Sequence, residues 1–198
     1  MDRKKYNVDE SHYPELTVIL DAYDISDSLT QTYLEQVGPV MCRKGCSNCC
    51  KNPTVPFTEP ELIGISWYAT EKLVNPVRER VKQRLYDHET TLECPFLLDA
   101  ECSVYEMRPL ACRQFYVKNI ACVQHEDIAS NRPHDIVAPI QPIVKASLIR
   151  LLDFWPYASM LDKDAAFENG VMQDITVNMH EYDWVELAKT MDSFDRKM

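Results

Sequence analysis

Apolar residues recur at helical spacing in the first half of the chain. From Pro14 to Val37 the leucine, isoleucine, tyrosine and valine positions are mostly three or four residues apart, which predicts one or two amphipathic helices. Gly38 and Pro39 end this pattern, because neither residue continues a helix comfortably. Two more helices are predicted at about 59–73 and 77–88. The capping motif Thr58-Glu-Pro-Glu61 precedes the first apolar stripe, and Asn75-Pro76 precedes the second.

The middle of the chain predicts one small β element. The runs from Cys94 to Leu98 and from Cys102 to Tyr105 flank a tight acidic turn, as the two strands of a hairpin would. Pro109 is expected to lie near the start of a short helix. The remaining predicted elements are a linker at 131–134 and helices at 140–152 and 180–194.

These elements predict a mainly α fold: a single small helical domain with a cysteine-rich metal-binding loop and a short β-hairpin. A chain of 198 residues is long enough for one ordinary domain and too short for two well-developed ones. We divide this single domain, 1–198, into N-terminal helices at 1–41, a cysteine-cluster metal-binding core at 42–122 and C-terminal helices at 135–198 that pack on the core.

Cysteine spacing is the strongest chemical signal in the sequence. The chain has eight cysteines, in a Cys-x3-Cys-x2-Cys-Cys block, a looser second block and one further position: Cys42, Cys46, Cys49 and Cys50, then Cys94, Cys102 and Cys112, then Cys122. Zinc and iron-sulfur clusters select thiolate ligands, and ligands two or three residues apart on a turn can converge on one centre. The spacing therefore predicts a metal-binding framework.

The number and type of metal centres stay open at this point. Adjacent Cys49 and Cys50 indicate two neighbouring sites, or one cluster with an additional thiol, because successive side chains usually diverge. Eight cysteines fit two four-thiolate zinc sites, or one 4Fe-4S cluster with four cysteines left for other roles. The first block also has the spacing of radical S-adenosylmethionine enzymes, but Asn48 stands where they carry an aromatic residue, and their large α/β barrel does not fit this chain.

Charge and composition exclude several other classes of function. With 21 basic against 31 acidic residues and a net charge of −10, the chain lacks the basic face that nucleic acids and anionic membranes require. Its four glycines form no dinucleotide-binding or P-loop motif. The N-terminus has no apolar signal segment, which predicts a cytoplasmic protein in which stable disulfides are not expected.

Four stretches resemble the CxxCxxCC or YkgJ-like family of zinc- or iron-chelating domains. The stretches are Cys-Arg-Lys-Gly-Cys-Ser-Asn-Cys-Cys at 42–50, the Pro-x4-Glu-x3-Ile run at 56–65, Cys-Pro-Phe-Leu at 94–97 and Cys-Ser-Val-Tyr-Glu-Met-Arg-Pro-Leu-Ala-Cys-Arg at 102–113. The resemblance covers roughly 42–122 and implies zinc or iron as the bound metal. It makes all eight cysteines candidate ligands: Cys42, Cys46, Cys49, Cys50, Cys94, Cys102, Cys112 and Cys122.

The same resemblance suggests supporting residues and a wider range of activity. Arg108 and Arg113, in the Arg-Pro-x-x-Cys-Arg motif, are expected to donate to cluster sulfurs or to a carboxylate that orients the loop. The alternative is an ordinary ion pair with Glu59, Glu101 or Glu106. His125, close to Cys122, is the histidine with a reason to be tested as a ligand. Flagellin lysine methylases are similar in their cysteine arrangement, which raises methyl transfer as an activity of the wider group.

The sequence therefore predicts a cytoplasmic metal-binding protein that chelates zinc or an iron-sulfur cluster through its cysteine framework. The alternatives are an iron-sulfur-dependent enzyme of redox or methyl-transfer chemistry and a metal carrier with exchangeable thiolates. The expected partner is the metal ion or cluster, and no nucleic acid or membrane partner is expected.

Overall fold

The computed structural model describes residues 8, 12–43, 45–51, 55–88, 93–123, 126–137, 141–156 and 159–197. Within these ranges the chain is mainly helical, which confirms the predicted fold class. The helices are α1 (Pro14–Val37), α2 (Glu59–Trp67), α3 (Val77–Tyr86), α4 (Leu110–Gln114), α5 (Ile128–Asn131), α6 (Gln141–Leu151), α7 (Met160–Glu168), α8 (Val171–Asp174) and α9 (Val185–Asp195). The strands are β1 (Pro56–Thr58), β2 (Leu97–Leu98), β3 (Glu101–Cys102), β4 (Tyr116–Val117), β5 (Ile136–Val137) and β6 (Thr176–Asn178).

The helices of the first half begin and end at the predicted signals. Helix α1 is one continuous element and ends at Gly38, whose φ is +95° and whose amide donates to the Leu34 carbonyl at 2.9 Å. Helix α2 begins at the predicted capping motif, where the Thr58 amide and hydroxyl both donate to the Glu61 carboxylate at 2.8 Å. Because α2 continues into a wider π-helical turn, Tyr68–Lys72, the predicted helix at 59–73 is confirmed.

The predicted hairpin is present, together with two small sheets that the sequence did not predict. Strands β2 and β3 pair antiparallel with Leu97 opposite Cys102, and the turn residues Asp99 and Ala100 both have positive φ. Strand β1 pairs with β6, and β4 pairs with β5, also antiparallel. Strands of two or three residues are too short to show an alternating pattern, and their partners here lie far away in the sequence.

The predicted linker at 131–134 is wrong. It includes the end of α5 and most of a 3-10 turn, Pro133–Asp135, which leads directly into β5. Arg132 holds this segment together, because its guanidinium contacts the carboxylates of Glu126 at 2.7 Å and Asp135 at 2.6 Å. Charged side chains that contact one another across a turn gave no periodic signal, so the stretch appeared unstructured.

The main hydrophobic core surrounds Trp184. The Phe96 ring meets the indole edge to face with a centroid distance of 4.9 Å, and the Phe57 ring stacks on it at 5.6 Å. The indole nitrogen of Trp184 donates to the Met179 carbonyl at 2.8 Å, so the polar end of this buried ring is satisfied. Three partly buried cysteines pack against this core: Cys50, Cys102 and Cys112.

A second core lies along α1. Leu16, Ile19, Leu20 and Tyr23 are fully or almost fully buried there and form one cluster with Leu151 at the end of α6. Among the described residues, no helix has the length and apolar character needed to cross a membrane.

A cluster of ion pairs joins α3 to the end of α9. Lys82 contacts Asp195 at 2.8 Å and Asp192 at 2.9 Å, and Arg78 contacts Asp195 at 2.7 Å. Arg78 is buried and also donates to the Ala69 carbonyl at 3.0 Å. The hydrogen bond from Lys82, together with that from Arg78, lowers the pKa of Asp195 against the opposing effect of burial.

We expect Asp195→Asn to lower the free energy of unfolding by about 2 kcal/mol at neutral pH, because it leaves the buried cations Arg78 and Lys82 with a weaker partner. A lowered carboxyl pKa stabilises the fold above the ordinary pKa of about 3.9 and stops doing so as the pH falls through the folded-state value. The difference between wild type and variant, measured by urea unfolding, should therefore be constant from pH 5 to 7 (roughly) and shrink in more acidic solution.

Glu186→Gln is the matched control on the same helix. Glu186 pairs with Lys189 at 2.6 Å, but both side chains are exposed, so its removal should change stability little. Equal losses for the two variants, or a loss at Asp195 that does not vary with pH, would contradict the role given to the α3–α9 ion pairs.

Candidate metal centre

Seven of the eight cysteines line one cavity of about 370 Å³. They come from both cysteine blocks: Cys42, Cys46, Cys49 and Cys50 from the first, and Cys94, Cys102 and Cys112 from the second. Among the described residues that line the cavity there is no histidine and no carboxylate. The donor atoms of this cavity are therefore sulfur, which suits zinc and iron-sulfur centres and does not suit magnesium or calcium.

The cysteines surround the cavity without converging on one point. Within the described ranges, no group of three or more His, Cys, Asp or Glu side chains has the arrangement of a formed metal site. The residues that the sequence predicts as ligands are thus gathered around a common space, and binding one centre requires their side chains to turn inward.

The first block is attached to strand β4. The Cys42 sulfur accepts a hydrogen bond from the Val117 amide at 3.3 Å, and the Met41 amide donates to the Val117 carbonyl at 2.7 Å. Gly45 turns the chain between Cys42 and Cys46 with a φ of +86°, a conformation that suits glycine. Lys44, the residue before Gly45, lies outside the described residues.

Cys122 is far from the first cysteine block in the sequence but lies beside it in the fold. The Asn48 side chain donates to the Cys122 carbonyl at 2.6 Å, which places residue 122 beside the 3-10 turn Asn48–Lys51 that carries Cys49 and Cys50. Cys122 does not line the cavity itself. His125, the histidine that the sequence proposed for testing, lies outside the described residues.

The second block is joined to the first through the backbone. The Cys94 amide donates to the Cys50 carbonyl at 2.8 Å, so the two blocks meet although 43 residues separate these cysteines in the sequence. Cys94 is buried, and its sulfur lies 3.6 Å from the sulfur of Met179. Cys102 is placed by the β2–β3 hairpin, and Cys112 lies in α4.

Helix α4 is held in place by a buried carboxylate that the sequence did not connect with the site. Glu61 accepts from the Leu110 amide at 2.6 Å with one oxygen and from Thr58 with the other. Burial raises the pKa of Glu61, against the lowering effect of these donors. The capping motif predicted the contact with Thr58, but no local pattern indicated that the second oxygen reaches the helix that carries Cys112.

Arg113 fixes the segment before Cys112 against α1. Its side chain is almost fully buried and donates to the Arg108 carbonyl at 2.9 Å, to the Asp27 carboxylate at 2.7 Å and to the Glu106 carbonyl. Its guanidinium also lies over the Tyr23 ring, 3.9 Å from the centroid. Arg113 thus orients the loop through a carboxylate of α1, and the ion pairs considered from the sequence with Glu59, Glu101 or Glu106 are not the ones it forms.

Arg108 lines the cavity directly. Its guanidinium lies over the Tyr105 ring, 3.9 Å from the centroid, and donates to the Tyr105 carbonyl at 2.8 Å. In the described part of the chain it forms no ion pair with a carboxylate. Burial raises the pKa of Cys102 and Cys112, and the charge of Arg108 partly offsets this rise, which favours the thiolate form that binds metal.

Burial works against the thiolate form at most of these cysteines. It raises the pKa of Cys42 and of Cys102 to about 11, and it also raises the pKa of Cys94 and Cys112. At Cys49 the largest cause of a raised pKa is the side-chain hydrogen bond with Cys50. A metal that binds here must therefore displace protons, as is usual for cysteine sites.

The cysteines influence one another in two groups. In addition to burial, the charge of Cys46 raises the pKa of Cys42 and Cys122, and the charge of Cys102 raises the pKa of Cys94 and Cys112. Cys49 raises the pKa of members of both groups. The turn that carries Cys49 and Cys50 contacts Cys122 through Asn48 and Cys94 through the Cys50 carbonyl, so this pair lies between the two sets of thiols.

Comparison with known families supports the metal assignment. Residues 41–133 match the model of the CxxCxxCC family, which is described as a "putative zinc- or iron-chelating domain". No curated protein and no solved structure matches the chain. The likeness to flagellin lysine methylases and the YkgJ family name therefore stay predictions.

We expect Arg113→Lys to lower the free energy of unfolding by about 2 kcal/mol, because lysine cannot replace three donor contacts made by one planar guanidinium. Arg80→Lys is the matched control, since Arg80 pairs with Asp99 on the exposed surface and should matter little. Chemical unfolding of both variants tests this, and equal stability of the two would show that Arg113 does not hold the Cys112 segment.

Proposed function

We propose that this protein chelates zinc or iron through the cysteines around the cavity. The observation that carries the proposal is that seven cysteines from two separate stretches line one space. The family match is to a zinc- or iron-chelating domain, which agrees with the sulfur-only donor set. The eighth cysteine, Cys122, lies close enough to join through its contact with Asn48.

The size and charge of the cavity favour more than one metal atom. A single zinc ion draws four sulfurs to about 2.3 Å, and this arrangement would use only half of the cysteines. A cavity of about 370 Å³ with seven cysteines around it has room for two zinc ions or for a 4Fe-4S cluster. Arg43 and Arg108, which also line the cavity, would offset the negative charge of the bound thiolates.

We place this function in the cytoplasm. All eight cysteines are free thiols in the structure, and a reducing compartment keeps thiols available for metal. An iron-sulfur-dependent enzyme and a metal carrier both remain compatible with the same framework. The enzyme and the carrier would both chelate metal, and metal chelation is the part of the proposal that the sulfur donors support.

Protein purified without oxygen should contain zinc or iron in stoichiometric amounts, as measured by elemental analysis, with a broad visible absorption if an iron-sulfur cluster is present. Cys102→Ser removes one donor and should lower the metal content. Tyr116→Phe changes a side chain that lines the same cavity but supplies no sulfur, so its metal content should equal that of the wild type. Protein that lacks both metals after anaerobic preparation would refute the proposal.

Removing the metal should destabilise the fold around the cavity, because the energy of metal binding contributes to folding. We expect a lower thermal midpoint and a loss of helical circular dichroism signal after treatment with a chelator. Both should return when zinc or iron is added back. An unchanged spectrum and midpoint after verified removal would show that the metal does not support the fold.

A further inference from the structure

The cysteines around the cavity differ in their contact with solvent. Cys94 is buried, with 7% of its surface exposed, and Cys102 and Cys112 pack against the main core. On the other side Cys46 is exposed, and so is Cys49. Cys42 and Cys122 are partly exposed, as Cys102 and Cys112 are, but they do not belong to the set that packs against the main core. The contrast in exposure is therefore sharpest between Cys94 and Cys46, and Cys102 and Cys112 differ from Cys42 and Cys122 in their packing against the core.

The two groups are also attached to different parts of the fold. Cys94, Cys102 and Cys112 belong to the hairpin and α4, which Glu61 and Arg113 fix to α2 and α1. In the group formed by Cys42, Cys46 and Cys122, the Cys42 sulfur and the Cys122 carbonyl accept part-buried hydrogen bonds from Val117 and Asn48. We call these groups the buried half and the exposed half.

We infer that the buried half retains its metal while the exposed half exchanges zinc or iron with thiol or chelator acceptors in solution. Cys49 and Cys50 lie between the halves and contribute to both. This inference rests on the proposed function. It adds a difference in metal exchange between the two halves, which the family match does not describe.

Exchange at the exposed half is chemically simple. An incoming thiolate forms a bond to the metal as a bond from Cys46 or Cys122 breaks, and the released cysteine thiolate takes up a proton from solvent. The metal keeps its oxidation state, so no electron donor or acceptor is needed. Such a step requires open access to the metal, which an exposed side chain provides and the packed surroundings of Cys94 do not.

The test follows metal release from the purified holoprotein to a coloured chelator. We expect two phases, with the fast phase at least roughly ten-fold faster than the slow one, since access differs between the halves. The double variant Cys46→Ser/Cys122→Ser should lose the fast phase and keep the slow one. Cys102→Ser should lose the slow phase if it folds.

A second measurement uses only the wild-type protein, so it does not depend on how the variants fold. Alkylation of the holoprotein followed by peptide mass spectrometry should modify Cys42, Cys46 and Cys122 before Cys94, Cys102 and Cys112. Uniform alkylation, or release in a single phase from protein that does contain metal, would overturn the division while leaving chelation intact. Protein without stoichiometric zinc or iron would instead refute the proposed function.

Discussion

The packing of three aromatic rings decides where the cysteines lie. Phe57 follows the first cysteine block closely, Phe96 lies two residues after Cys94, and both rings pack on Trp184 near the end of the chain. Because these rings are buried together, both blocks must leave the core at the same place. The hydrogen bond from the Cys94 amide to the Cys50 carbonyl then costs little additional backbone conformational entropy when it forms. The cavity is thus a consequence of core packing before any metal is considered.

Much of the fold could be predicted because it rests on local signals. Helix α1 has a clear apolar period and a glycine end, α2 has a capping motif, and the hairpin has an acidic turn between apolar runs. The sheets β1–β6 and β4–β5 could not be predicted, since each joins short segments that contain no pattern of their own. Helices α7 and α8 were also missed, and most of their residues lie outside the core.

The site was predictable in its chemistry but not in its arrangement. Spacing predicted that the cysteines form a metal framework, and the structure gathers seven of them around one cavity. The supporting contacts depend on tertiary structure: Asp27 reaches Arg113 across 86 positions, and Glu61 reaches Leu110 across 49. In the sequence Asp27 and Glu61 look like any other polar residues of a helix, so nothing marks them as partners of these distant groups. The grouping of the cysteines is likewise set by which segments pack together.

The contacts of Arg113 and Glu61 explain how one fold can hold the buried half firmly while the exposed half opens more easily. Arg113 and Glu61 are buried charged groups, and each satisfies several partners, so moving α4 would leave some of them unpaired at considerable cost. Cys112 and its neighbours share that rigidity. The contacts described for the exposed half are part-buried hydrogen bonds from the Val117 amide to the Cys42 sulfur and from the Asn48 side chain to the Cys122 carbonyl, and neither donor is a charged group. Local opening of the exposed half therefore costs less than opening of the buried half, and the two halves can differ in mobility.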